Sequence, residues 1–344
     1  MTSPAPASAP VPALLRAYRG ERPERLPVWF MRQAGRSLPE HRQARAGLGM
    51  LEACTTPDLV AEITAQPVRR HGVDAGIFFS DIVTPLYVAG VDVEIRTGIG
   101  PVFADPVTDE AALGRLTAHG PADLSVITEA ARLAAEAIDV PLIGFAGAPF
   151  TLAAYAVEGR SSRDHLAART LMHAEPALWD RLMTWMADQS GAFLAAQVAG
   201  GARAVQLFDS WAGSLSASDY RRFALPYSAR AIAWVKGKVP VVHFGTGTGE
   251  ILADMREAGA DVVGVDYRIP LDEASRRLGG GTPLQGNIDP ALLAAPWPVL
   301  EAHIRDVVAR GAAAPAHVVN LGHGVPPSTD PGVLTRVVEL VHAL

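Results

Sequence analysis

The 344-residue sequence is almost without cysteine and almost without lysine. Cys54 stands alone, which excludes an intrachain disulfide and every CxxC metal or redox pair. Lysine occurs only at Lys236 and Lys238, against 28 arginines, so a general preference for arginine could scatter guanidiniums anywhere. An excess of positive charge is also missing. The net charge of −6 argues against a nucleic-acid binder, and any anionic partner must be held by local positive charge. No run of ~18 apolar residues could span a bilayer, and no basic segment precedes an apolar one as in a signal peptide, so neither membrane nor secretion is expected and the cytosol is. HxH, HExxH and HxC patterns are absent, and no metal is expected. Neither GxSxG nor the Walker lysine is present. The Phe244–Gly249 run FGTGTG therefore reads as a glycine-rich turn, not a phosphate cradle.

What is present is a large apolar complement, 49% of residues against 19% charged. Only residues 1–10, MTSPAPASAP, have nothing to bury and read as a disordered tail, leaving 11–344 as one domain. Apolar strands are expected near 28, 74, 141, 204, 239, 262, 283 and 317. Helices are expected between them at Pro57–Arg70 (shortened or kinked by Pro67), Ala122–Ile138, Arg163–His173, Pro176–Val198 and Asp219–Lys236, with a hairpin inserted over Leu86–Val107. Continuous apolar strands alternating with amphipathic helices indicate a helix-covered parallel sheet. Eight such units make a single (β/α)8 TIM barrel, with a doubly wound open sheet as the alternative.

Polar residues gather just past the strands, on the face where such a barrel keeps its site. The stretch Pro27–Arg45, PVWFMRQAGRSLPEHRQAR, places Arg32, Arg36, Arg42 and Arg45 within fourteen residues after an apolar strand. Four guanidiniums repel one another unless they are solvated or face anions, and their forks match carboxylate or phosphate. Gln33, Ala34 and Gly35 lie beside them and allow close backbone approach. Asp81 closes the apolar FFS run. A carboxylate there needs a partner or a function, because desolvation opposes its charge. Thr84-Pro85 predicts a turn after it, not a helix. His323 sits between Gly322 and Gly324, Ser210 follows a strand as a rim hydroxyl, and Tyr155 could place a phenol at the mouth. His243 and His317 read as interior residues, and Cys54 falls outside the strand-end pattern.

In order, MRQAGR, FFSDI, GFAGAPFTLAAY, LFDSWAG, FGTGT and NLGHGV resemble uroporphyrinogen decarboxylase, a family of single (β/α)8 barrels, over roughly Leu14 to the C-terminus. The resemblance implies a homodimer that uses no cofactor, and a substrate of four pyrroles each bearing an acetate and a propionate. It implies that Arg32 and Arg36, with the Gln33–Gly35 backbone, bind substrate carboxylates, and that Arg45 is the further family arginine. Asp81 would accept hydrogen bonds from the pyrrole N–H groups, with Tyr155, Ser210 and His323 as other substrate contacts. Asp81 and Arg32 would be catalytic, Asp81 by stabilising a cationic intermediate. Ser37 and His41 stand where the family often has aromatics. The rival expectations are a cobamide-dependent methyltransferase of the same superfamily, which needs His and Cys zinc ligands, and a tetrapyrrole-binding protein without catalysis.

Overall fold

The computed structural model describes residues 10–35, 37–120 and 122–344, so the expected tail, apart from Pro10, and Arg36 lie outside the described residues. Nine strands occur among them: β1 (Gly76–Ile77), β2 (Val93–Arg96), β3 (Gly100–Phe103), β4 (Leu142–Gly147), β5 (Ala204–Asp209), β6 (Val241–Gly245), β7 (Val262–Gly264), β8 (Leu284–Ile288) and β9 (His317–Leu321). Seven form a parallel sheet in the order β1-β4-β5-β6-β7-β8-β9. The runs LIGFAG, VVHFG, LQGNI and HVVNL are buried at every position. That is the pattern of strands with helices on one side and core on the other.

The expected strand at 28 is a single parallel bridge, Val28 to Val319. Backbone bonds continue it on both sides: Trp29 donates to Val319 (3.2 Å), Val319 to Pro27 (2.9 Å) and Asp74 to Val28 (2.8 Å). On the edge away from β9, the Val28 N–H donates to the Asp74 carboxylate (2.8 Å) instead of to a strand carbonyl. Beyond this seam Trp29 donates to Tyr18 Oη (3.1 Å) and Gln285 Oε1 (3.2 Å), and Tyr18 donates to the same oxygen (2.6 Å). This buried network fixes the run that leads into Arg32.

Four local expectations are corrected. The helix Pro57–His71 runs through Pro67, since packing against the helix Ser125–Glu136 outweighs one lost hydrogen bond. It stops at Gly72, whose φ of +66° is a left-handed cap. Asp219–Lys236 is two helices, Ala217–Phe223 and Leu225–Ala233, broken at Ala224 ahead of Pro226. The hairpin is only β2–β3, and Leu86 belongs to a helix, Thr84–Val88. The unforeseen helix Pro149–Glu158 is buried on nearly every side and so shows little amphipathic period.

Candidate functional site

Because the seven strands are parallel, their carboxyl ends share one edge, and the segments past β1, β4, β5, β7 and β9 carry Asp81, Tyr155, Ser210, Asp266 and His323. Arg32 follows the Val28 bridge on the same side. Its backbone is left-handed (φ +62°), an uncommon conformation for a residue with a side chain. The turn is held from within: Gln33 donates from its backbone N–H to Phe30 (3.0 Å) and from its side chain to Ala75 (2.8 Å), and its Oε1 accepts from Phe30 (2.9 Å). Gln33 is fully buried, so it anchors the turn rather than offering donors to a ligand. Gly35 is required because a Cβ there would lie 2.6 Å from the Arg32 carbonyl oxygen. Val325 donates to Met31 (2.8 Å), tying the turn to the end of β9. Gly324 completes the approach, since a Cβ on it would sit 2.5 Å from Arg32 Cδ.

Asp81 is half-buried and starts a tight turn. Its carboxylate accepts from the Val83 N–H (3.1 Å), and its own N–H donates to Thr84 Oγ1 (3.1 Å). A helix then begins at Thr84, which corrects the expectation of a simple turn. Cys54 is buried behind this turn, where Thr84 and Ser80 act on its thiol. Burial first and the Asp81 charge second hold its pKa above the usual range, so the thiol stays protonated and inert. Arg45 opposes that shift across the same pocket, while its Nη1 contacts Met50 Sδ at 2.9 Å.

Tyr155, on the helix after β4, is stacked on Trp211 with ring centroids 3.8 Å apart, and His165 stacks on Trp211 at 4.2 Å. Burial, then the Asp81 charge, pushes the Tyr155 pKa up to about 12, with Arg32 opposing. The phenol is therefore a neutral donor at pH 7, within electrostatic reach of both residues. The Ser210 carbonyl accepts from Thr246 Oγ1 (2.6 Å). Beneath it, buried Asp209 accepts from Thr151 Oγ1 (2.8 Å) and lies 3.8 Å from His243 Nε2.

His323 is exposed at the edge, and its pKa is lowered by partial desolvation and then by the cations Arg32 and Arg268. The structure thus brings Arg32, Asp81, Tyr155 and His323 into one electrostatic neighbourhood, with Arg45 beside the Cys54 side of Asp81. Arg36 lies outside the described residues. Trp211, His165 and Arg268 were not anticipated. The aromatic in Asp209-Ser210-Trp211 and the arginine two residues past the strand-end Asp266 were the available signals. An edge that carries cations, the half-buried Asp81 carboxylate and a neutral phenol can hold an acidic ligand by its carboxylates while presenting negative charge to its centre.

Comparison with known proteins gives a match of residues 10–344 to the family model described as Uroporphyrinogen decarboxylase (URO-D). A protein named uroporphyrinogen decarboxylase from Arthrobacter sp. (strain FB24) is 63% identical over 336 residues, covering 96% of each chain. One of the same name from Frankia casuarinae is 57% identical over 338 residues, covering 98% of this chain and 92% of that one. Among solved structures, a methyltransferase from Methanosarcina mazei superposes with a TM-score of 0.76 over 96% of this chain and 97% of that one. At 19% identity, that likeness speaks to the fold alone.

Proposed function

This chain belongs to the uroporphyrinogen decarboxylase family, and from that premise we propose how its residues carry out the reaction. It is a carboxy-lyase acting on uroporphyrinogen, and neither the methyltransferase nor the pure binding protein accounts for relatives of this identity. The substrate's eight carboxylates explain why an acidic protein concentrates arginine at one edge. Arg32 grips substrate carboxylates, joined by Arg36, Arg45 and the Ala34–Gly35 backbone, with Gln33 holding the turn. Tyr155, Ser210 and His323 are further contacts.

Asp81 sits beneath the macrocycle and accepts from its pyrrole N–H groups. An acetate on an electron-rich pyrrole loses carbon dioxide only when the ring can take the electron pair of the breaking C–C bond. Protonation of a ring carbon creates that sink. The resulting cation is stabilised by ionised Asp81, whose field is strong where water is excluded. The enamine-like carbon left by carbon dioxide is then protonated to a methyl group, and the ring returns its proton. Four rounds give coproporphyrinogen without a cofactor. A guanidinium is a poor acid, so the role of Arg32 in the reaction is to bind and orient the acetate that is lost.

The observation that carries this reading is the placement of Arg32, Asp81 and Tyr155, from three separate segments, at the carboxyl edge of one parallel sheet in a chain that matches the family over residues 10–344. Sheet closure into an eight-stranded barrel through Val28, a single domain over 11–344, a homodimer and residence in the cytoplasm belong to the same proposal. The Val28 bridge and its bonds to Asp74 and Val319 support the closure. Anaerobic incubation with uroporphyrinogen tests the activity. Four equivalents of carbon dioxide per macrocycle are expected, and tight binding without gas release contradicts it.

A further inference from the structure

The end of β9 is pressed by Arg32 on one side and by Tyr267, the neighbour of Arg268, on the other. On one side Gly324 makes room for Arg32. On the other, a Cβ on Gly322 would lie 2.3 Å from the backbone nitrogen of Tyr267, so the segment after β7 presses directly against the histidine loop. Arg268 is the next residue. Its Nη1 donates to Asp266 Oδ2 (2.5 Å), and its guanidinium lies over the Tyr267 ring, 4.5 Å from the centroid.

Asp266 is itself buried and fixed. The same Oδ2 accepts from the Gly247 N–H (2.6 Å), Oδ1 accepts from the Arg268 N–H (3.2 Å), and the Asp266 carbonyl accepts from Asn287 Nδ2 (2.9 Å). Arg268 is therefore a half-exposed cation on a rigid mount. Among the described residues Asp266 engages only one arm of the fork, and the other N–H donors are open to a ligand. Asp266 already takes the Gly247 and Arg268 backbone N–H groups, so the Arg268 guanidinium is held at the exposed end of a carboxylate that has other partners.

We propose that Arg268 is a further carboxylate-gripping residue, which with His323 and Arg32 takes a peripheral acid side arm on the β7–β9 side of the mouth and so sets affinity for the highly carboxylated substrate. This rests on the decarboxylase reading and extends it. The amino-terminal arginines hold one rim of the macrocycle, and Arg268 holds the rim across His323 from Arg32. Arg268 is a binding residue and takes no part in proton transfer.

The test uses the full-length protein. In Arg268→Gln, KM for uroporphyrinogen rises about tenfold, the cost of one unmet charged hydrogen bond, while kcat stays within about twofold. Arg268→Lys recovers most of the loss. The His323 imidazole, assigned in NMR titrations by comparison with His323→Gln, titrates at higher pH in Arg268→Gln because a neighbouring cation has gone. A wild-type KM in an active Arg268→Gln enzyme overturns the proposal, as does a parallel fall of kcat and melting temperature that lysine does not rescue. Binding of uroporphyrin, the oxidised macrocycle with the same eight carboxylates, is read separately by tryptophan quenching and weakens in Arg268→Gln. If wild type released no carbon dioxide yet this weakening held, the decarboxylase reading would fail and the Arg268 assignment would stand.

Discussion

Arg32 shows how a residue is placed at some conformational expense. Its left-handed backbone costs of order 1 kcal/mol or more, and the Gln33 anchor, the Val325 tie and the space over Gly324 hold it in place. Gly324→Ala tests this directly: a methyl 2.5 Å from Arg32 Cδ pushes the side chain aside while the fold survives. KM is expected to rise by roughly tenfold, with the melting temperature within a few degrees of wild type. An unchanged KM would mean that Arg32 does not meet substrate. Tyr155 makes a second residue-scale case. Its phenol stays protonated well above neutrality, so activity in Tyr155→Phe should fall by one fixed factor across pH 6–9, and a loss that grew with pH would contradict the donor role.

At the scale of elements, the strand ends were legible and the segments between them less so. Asp81, Ser210 and His323 were expected past strand ends, where the structure has them, because each interrupts an apolar run where a parallel sheet must expose its carboxyl edge. The helix Pro149–Glu158 was missed because burial on nearly every side erases its period. The Tyr155–Trp211–His165 stack was missed because no local pattern reports a contact between distant segments. Strand β9 also carries a consequence for stability. His317 is buried, its Nε2 2.6 Å from the Gly286 carbonyl, and burial lowers its pKa to about 4. The folded pKa lies below the unfolded value near 6.5, so the unfolded chain binds the proton first and stability falls as pH drops from about 6.5 to 4. About 2 kcal/mol should be gone at pH 5 and about 3 at pH 4, relative to pH 8. Urea melts of wild type and His317→Gln over this range check it. Equal slopes for the two proteins would refute the assignment.

At the scale of the whole molecule, eight strands were expected, whereas seven pair in the parallel sheet among the described residues and a seam stands at the remaining position. An eighth strand was expected at 28, and what stands there is one bridge residue whose N–H is taken by a carboxylate. Asp74 lies at the centre of that seam. It accepts from Val28, from Arg25 Nη2 (2.6 Å) and from His342 (2.7 Å), so the amino-terminal segment, the start of the sheet and the last helix meet on one buried side chain. Asp74→Ala strands the Val28 N–H and should cost about 3 kcal/mol in denaturant melts, against less than 1 if the seam were held elsewhere. Arg32 in the amino-terminal turn and Asp81 past β1 both lie within electrostatic reach of Tyr155, and the proposed reaction depends on the charge of that carboxylate. Asp81→Asn removes the charge but retains an oxygen for the Val83 N–H. The decisive measurement is anaerobic carbon dioxide release by this variant alongside its affinity for uroporphyrinogen. Turnover should fall by about 100-fold or more with affinity within about fivefold, and wild-type turnover would contradict the account.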